Sequence, residues 1–286
     1  MTAAPQGTGL DGLDHVLVGV RDLEAARLAW LRLGFRPCPR GRHIGWGTAN
    51  YCLMFPNDYV ELIGIVDSSK FVNDLDRFLA VREGLLGLAF RGRDLAATGR
   101  AIQAAGWSAE GPRSLKRVIE LPEGEVQPAF ELLFPEPAAV PDLKAFVCRH
   151  LTPELVWRKE WLVHPNGATG IRELVNVVDR PGELALTYAT LLGDEAVAMA
   201  DGELIVEVGR CRLRFVTPGV FQAHWPFEAP APVQPRPWLA GMIVTVADRR
   251  TTRLYLEATG VSLATGVDGA LYVEPSEVNG VMLGFV

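Results

Sequence analysis

The sequence predicts an α+β protein made of four βαβββ modules that pair into two domains. Three observations carry this. A strand–helix–strand–strand–strand order recurs four times along the chain. Each module has a sheet face that it cannot cover alone, so the modules must pair. A length of 286 residues, at about 150 per domain, suits two pairs.

The first module opens with residues 12–20, an alternating β-branched strand. Residues 24–33 follow with apolar side chains at helical spacing, stopped by Gly34. Three extended stretches come next, 35–44, 47–55 and 59–65, with the turn pair Asn57-Asp58 between the last two. The second module repeats the order: strand 85–91, helix 96–105 ending at Gly106, then strands 117–121, 126–134 and 145–150. The third has strand 171–178 and helix 182–192. Its strands 195–200, 203–208 and 211–216 are joined by Asp201-Gly202 and Gly209-Arg210. The fourth has strand 241–246, helix 249–258, and strands 261–266, 270–274 and 280–286. Between modules three and four, residues 226–237 hold five prolines, which predicts a stiff connector. The boundary between the two domains is expected near residue 168.

Hydrophobic residues make up 49% of the chain and charged residues 22%, enough for a packed core and no sign of disorder. A net charge of −6 with scattered Lys and Arg argues against nucleic acid or an anionic membrane as partner. Cys38, Cys52, Cys148 and Cys211 form no CxxC pair, which excludes a zinc ribbon or dithiol motif and predicts buried reduced thiols. The N-terminal stretch has no basic segment and no apolar run approaches the ~18 residues of a span, so a cytoplasmic location is expected. Phosphate-binding loop, GxGxxG-after-strand, GxSxG and HExxH patterns are missing, so the common nucleotide-binding, hydrolase and zincin readings fall away.

The repeat, with Leu13-Asp14-His15 in the opening strand, Gly47-Thr48-Ala49-Asn50, Tyr59-Val60-Glu61-Leu62 and His164-Pro165-Asn166-Gly167-Ala168, resembles the vicinal oxygen chelate superfamily, and within it the glyoxalase-like proteins. That resemblance implies two modules facing each other around a divalent metal, with ligands from the first and fourth strands of each. It implies a metal that chelates two adjacent oxygens of a small organic substrate. Its members include glyoxalases, epimerases, extradiol dioxygenases and metal-free resistance proteins, so the fold does not choose the reaction.

On that pattern His15 is a metal ligand. Glu61 is the second, because a carboxylate within Tyr-Val-Glu-Leu-Ile is costly to bury unless paired, hydrogen-bonded or on a metal. Strand alternation puts Tyr59, Glu61 and Ile63 on one face. Gly87 stands where module two would repeat His15 and cannot bind metal. The third ligand is expected to be His150, or Glu131 if 126–134 is the fourth strand. Two imidazoles and a carboxylate suit Fe(II), with Zn, Mn or Ni as other occupants. Glu61 and His164 are the candidate acid/base residues. Asn50, Tyr51 and Arg42, with Trp157 from the inter-domain segment, are candidates for substrate contact, and His43, Trp46 and Trp161 lie close by in sequence. Glu173 and Gly241 take the His15 position in modules three and four. Residues 169–286 therefore read as scaffold, cleft wall or dimerisation surface, and 1–168 as the metal half.

The function expected is metal-dependent isomerase or lyase chemistry on a small molecule, with a homodimer as the candidate assembly. A ring-cleaving dioxygenase and a metal-free small-molecule-binding protein are the alternatives.

Overall fold

The computed structural model describes residues 7–227, 235–267 and 269–286. Module one is β1 (Leu10–Gly19), α1 (Leu23–Arg32), β2 (Gly41–His43), β3 (Thr48–Met54) and β4 (Tyr59–Ile65). A short helix α2 (Leu75–Val81) leads to module two. This consists of β5 (Gly84–Gly92), α3 (Leu95–Ala104), β6 (Ala109–Leu121), β7 (Gly124–Val126), β8 (Ala129–Pro135) and β9 (Ala145–His150). Module three is β10 (Ala168–Val177), α4 (Ala185–Leu192), β11 (Val197–Ala200), β12 (Glu203–Val208) and β13 (Cys211–Val216), followed by α5 (Pro218–His224). Module four is β14 (Trp238–Val246), α6 (Arg249–Ala258), β15 (Leu263–Thr265), β16 (Leu271–Val273) and β17 (Met282–Phe285).

One local device starts three of the module helices. Asp22, Asp94 and Asp248 each stand just before a helix, and each side chain accepts backbone N–H bonds from its first turn. Such a cap is worth about 1 kcal/mol.

Strands of modules one and two form one sheet, in the order β2-β3-β4-β1-β5-β9-β8-β6-β7, and β2 also pairs with β6. That extra pairing curls the sheet around its inner face. Modules three and four form the second sheet, β11-β12-β13-β10-β14-β17-β16-β15. The opening strands of paired modules lie antiparallel at each centre, β1 with β5 and β10 with β14. Modules thus pair one with two and three with four. In module two the strand parallel to β5 is β9, as β4 is parallel to β1, so β9 is the fourth strand and β8 is not.

The sequence expectations differ from the structure in several places, among them a strand 126–134 that is split at residues 127–128. Strand 35–44 contracts to three residues, because Pro37 and Pro39 supply no ladder N–H. Strand 117–121 extends back to Ala109 through Gly111-Pro112, with a register shift between Glu110 and Arg113. Helices α2 and α5 were not foreseen; each is seven residues long, too short to show a clear period. Most of the proline-rich connector lies outside the described residues.

The main apolar core is continuous across both halves. Trp30, Phe35 and Phe55 from the first share it with Tyr188, Phe215 and Phe285 from the second. Phe35 and Phe285 stack at 6.0 Å. All four cysteines are buried and free.

Candidate active-site cleft

The inner face of the first sheet lines a cleft. Alternation decides which residues reach it. On β4, Tyr59, Glu61 and Ile63 line the cleft, while Val60 and Leu62 enter the core. From β1 come His15 and Leu17. Strands β8 and β9 add Phe130, Leu132, Phe134, Phe146 and Cys148. His43, Thr48 and Arg117 complete the polar set. The cavity measures about 80 Å³. One water needs about 10–15 Å³, so a small organic molecule has room.

His15 is buried and stacks on Tyr59 at 4.5 Å. The β1–β5 register shifts between Leu13 and His15. Such an irregularity re-aims side chains, and here Asp14 reaches the neighbouring ring. His15 Nδ1 lies 2.7 Å from Asp14 Oδ1, and His150 Nε2 lies 3.0 Å from the same oxygen. Burial raises the pKa of Asp14, but the charge of His150 and the two imidazole hydrogen bonds outweigh it and hold the carboxyl well below its usual range. Asp14 is therefore an acceptor, and His15 donates from Nδ1. Its Nε2 then faces the cleft, 3.5 Å from Glu61 Oε2.

Glu61 is 6% exposed on a strand flanked by β3 and β1. Asn50 Nδ2 donates to its Oε1 at 2.5 Å, and His43 Nε2 lies 3.7 Å from the same oxygen. Burial pushes the Glu61 carboxyl up, yet His15, His43, Asn50 and Arg117 together keep it below its ordinary value. It is a carboxylate. His43 is oriented by Thr48 Oγ1, 2.8 Å from its Nδ1, and burial lowers its pKa despite Glu61, favouring the neutral ring.

Of the expected site residues, the structure brings His15, Glu61 and Asn50 together, with Asn50 bonded to Glu61, and it places His43 beside them. The other expected residues go elsewhere. Tyr51 follows Asn50 on β3, so its side chain enters the helix-side core, where its hydroxyl donates to Glu24 Oε1. Arg42 is on the surface, paired with Glu120 at 2.7 Å. Glu131 alternates with the cleft-facing Phe130 and Leu132, and pairs with Arg149 at 3.2 Å. His150 reaches Asp14 from behind His15 rather than meeting Glu61, and packs against Trp157 at 4.7 Å. Trp157 donates from Nε1 to Phe55 O, 3.0 Å away, and lines a separate surface pocket with His150. His164 is not a cleft residue. Its Nδ1 accepts from Arg36 N at 3.0 Å, its Nε2 donates to Met54 O at 2.9 Å, and Phe35 and Phe55 pack edge-on against it. Both nitrogens are used by backbone, so no lone pair is left for acid/base work.

Gly87 has a packing reason. A Cβ there would stand 2.3 Å from Lys144 O, where β9 runs beside β5. Asp14, Cys148 and His150 offer ligand atoms within 4.8 Å of one another. Asp14 already holds two imidazoles and burial keeps the Cys148 thiol protonated, so this group reads as hydrogen-bonded.

In the second sheet the same register carries different chemistry. Leu17 pairs with Glu61 on β1 and β4, two residues beyond His15, and Val175 pairs with Arg214 on β10 and β13, two beyond Glu173. Glu173 and Arg214 form an ion pair of 2.9 Å at these positions, with Glu203 2.6 Å from the same guanidinium. Arg214 thus stands at the position of Glu61 and Glu173 at that of His15, so an ion pair replaces the histidine–glutamate pair.

Paired βαβββ modules around a cleft with a strand-one histidine and a strand-four glutamate define a vicinal oxygen chelate fold. The model of the family described as a glyoxalase-like domain matches residues 13–192, and the chain belongs to that family. No curated protein matches the chain. Among solved structures, a hypothetical protein from Staphylococcus aureus is similar with a TM-score of 0.66 at 12% identity, over 96% of this chain and 98% of that one. A xylose isomerase-like TIM barrel/4-hydroxyphenylpyruvate dioxygenase fusion protein is similar at 15% identity, with a TM-score of 0.59, over 100% of this chain and 50% of that one. A mutant of 4-hydroxymandelate synthase from Streptomyces coelicolor is similar at 10% identity, with a TM-score of 0.60, over 97% and 92%. At these identities the likeness is one of fold. No helix among the described residues is long and apolar enough to cross a membrane.

Proposed function

We propose that the protein is a metal-dependent enzyme that binds a small organic substrate through two adjacent oxygens and moves a proton on it, as an isomerase or lyase does. One observation carries the reading. The Nε2 of His15 and the Oε2 of Glu61 face each other 3.5 Å apart in a largely apolar cleft, with the other His15 nitrogen tied to Asp14. On a neutral His15 these are two facing lone pairs, which repel unless a metal cation stands with them, and an imidazole held this way by a carboxylate is a familiar metal-ligand arrangement. His15 and Glu61 would hold the ion, with His43 beside them; Fe, Zn, Mn and Ni all accept such donors. The metal would supply Lewis acidity that lowers the cost of negative charge on substrate oxygens.

The rest belongs to the chain. The apolar walls exclude water and strengthen every charge interaction inside. Asp14 fixes the tautomer of His15. Glu61 is the base in this reading, and His43 Nε2, 3.7 Å from Glu61 Oε1, is placed to take a proton onward. The chemistry resides in residues 1–168, and 169–286 serve as scaffold, because an ion pair occupies the corresponding positions there.

A second reading, oxygen-dependent chemistry, draws support from the two imidazoles beside one carboxylate and from the names of two structural neighbours. A metal-free binding protein is the third, in which His15 carries a proton between Asp14 and Glu61.

Metal analysis of the purified protein tests the proposal. After separate loading with Zn, Fe, Mn and Ni, about one ion per chain is expected, with loss of it in both His15→Ala and Glu61→Ala. Glu131→Ala is expected to keep it. A folded wild type that takes up none of the four metals at saturation would overturn the metal-dependent reading. Substrate-dependent oxygen consumption by the iron form would move the assignment to the second reading.

A further inference from the structure

We infer that the substrate carries a carboxylate on an apolar body, and that Arg117 receives that carboxylate. The inference rests on the reading of this cleft as the substrate site, and deepens it by naming the substrate class.

Arg117 is on β6 and only 4% exposed, yet it lines the cleft. Its Nη1 donates to Cys52 Sγ at 3.0 Å, and its guanidinium rests 5.5 Å from the ring centre of Phe130. Neither neighbour cancels a charge: burial pushes the Cys52 thiol up to about 11, so it stays neutral. Among the described residues Arg117 joins no ion pair, and its Nε is buried with no hydrogen-bond partner. Glu61 is in the same cleft, but its oxygens face Asn50, His15 and His43.

Arg214 of the second sheet is the internal contrast. It is half-buried and satisfied by two glutamates. A guanidinium buried with no carboxylate in contact is unfavourable, because its lost hydration is not replaced. A planar fork of N–H donors is also the best match among side chains for a carboxylate. The apolar lining of the same cleft, Phe130, Leu132, Phe134, Leu17 and Ile63, suits an apolar or aromatic body. Cys52 pairs with Glu61 across β3 and β4, so the anion end and the His15–Glu61 end belong to one compartment. Lys144 is a second cation at the cleft, but it is exposed and its Nζ donates to Asn73 O at 3.3 Å.

Calorimetric titration with 3-phenylpropanoate and with its neutral amide tests this, on zinc-loaded and on metal-stripped wild type. The acid is expected to bind about tenfold or more tightly than the amide in both forms, since a charge-assisted bond replaces a neutral one. The preference should vanish in Arg117→Met, shrink in Arg117→Lys and persist in Lys144→Met. Equal binding of acid and amide, or no binding of the acid, overturns the inference. So does a preference that survives in folded Arg117→Met or disappears in Lys144→Met. If Arg117→Met does not fold, an unchanged ratio in Arg117→Lys overturns it instead. The metal-stripped arm and His15→Ala keep the two ideas apart. A carboxylate preference retained there stands even if the metal reading fails, and a normal metal content with no preference sinks only the role of Arg117.

Discussion

What His15 offers the cleft is decided by its neighbours. Asp14 accepts a hydrogen bond from Nδ1, Tyr59 stacks on the ring, and Nε2 is left facing Glu61. Asp14→Asn removes the charge that fixes this tautomer, so a 10- to 100-fold loss of metal affinity is expected with the fold intact; an affinity within twofold of wild type by metal titration would contradict it. His164 makes the opposite prediction. His164→Ala leaves Arg36 N–H and Met54 O without their partner and opens a gap between Phe35 and Phe55. It should cost about 2–4 kcal/mol in denaturant unfolding, while the folded fraction binds metal as the wild type does. A marked fall in metal affinity with unchanged stability would restore His164 to the site. At this scale much was legible. An apolar strand with one histidine and another with one glutamate point inward by alternation alone. The same rule shows that Asn50 and Tyr51 cannot both face the cleft. His43 and Arg117 carried a weaker signal: they lie on short or irregular strands, and only the β2–β6 pairing that places His43 opposite Arg117 brings them in.

Among the elements, the β3–β4 turn does more than reverse the chain. Its Asp58 is buried and accepts from Ile171 N on β10 at 3.0 Å, tying the first sheet to the second. Burial pushes its carboxyl from 3.8 up to about 7, against the Ile171 bond and the Arg91 charge. Between those values the folded protein holds a proton that the unfolded chain has lost. Stability from this group is therefore present below about pH 4 and falls as pH rises toward 7, by roughly 2–4 kcal/mol in all. Asp58→Asn keeps an acceptor for Ile171 and removes the charge. It should raise the melting temperature clearly at pH 8 and much less at pH 5; equal shifts at both would refute the assignment. Helix starts were legible because an Asp precedes each of α1, α3 and α6. The length of β6 was not, because Gly111-Pro112 reads as a break where the strand only shifts register.

The whole molecule is held together between its halves. Asn166 Nδ2 donates to Leu33 O, and Thr252 Oγ1 donates to Asn166 O, so the segment entering module three is pinned to both sides. Gly34 is required there: it has φ +81°, and a Cβ would stand 2.6 Å from Tyr255 and 2.9 Å from Asn166. Arg32 reaches across to Glu277 at 2.7 Å. Because the apolar core is shared, calorimetry should show one cooperative transition. Two resolved transitions, with one moved selectively by metal, would show that the halves melt as independent units.

Sequence by itself determined the repeat, the pairing requirement, the inward placing of His15 and Glu61, and the loss of that pair in the second half. Each follows from local pattern: period, turn chemistry, or a polar residue in an apolar strand. Only the tertiary structure decided which residues join them. His150 and His164 look alike in sequence to a ligand or base. One is drawn to Asp14 and the other is clamped by backbone, because hydrogen-bond partners come from elements more than a hundred residues away. Arg117 becomes a candidate binding group only when closure of the sheet buries it with no carboxylate in contact, a property of the packed cleft that no local pattern encodes.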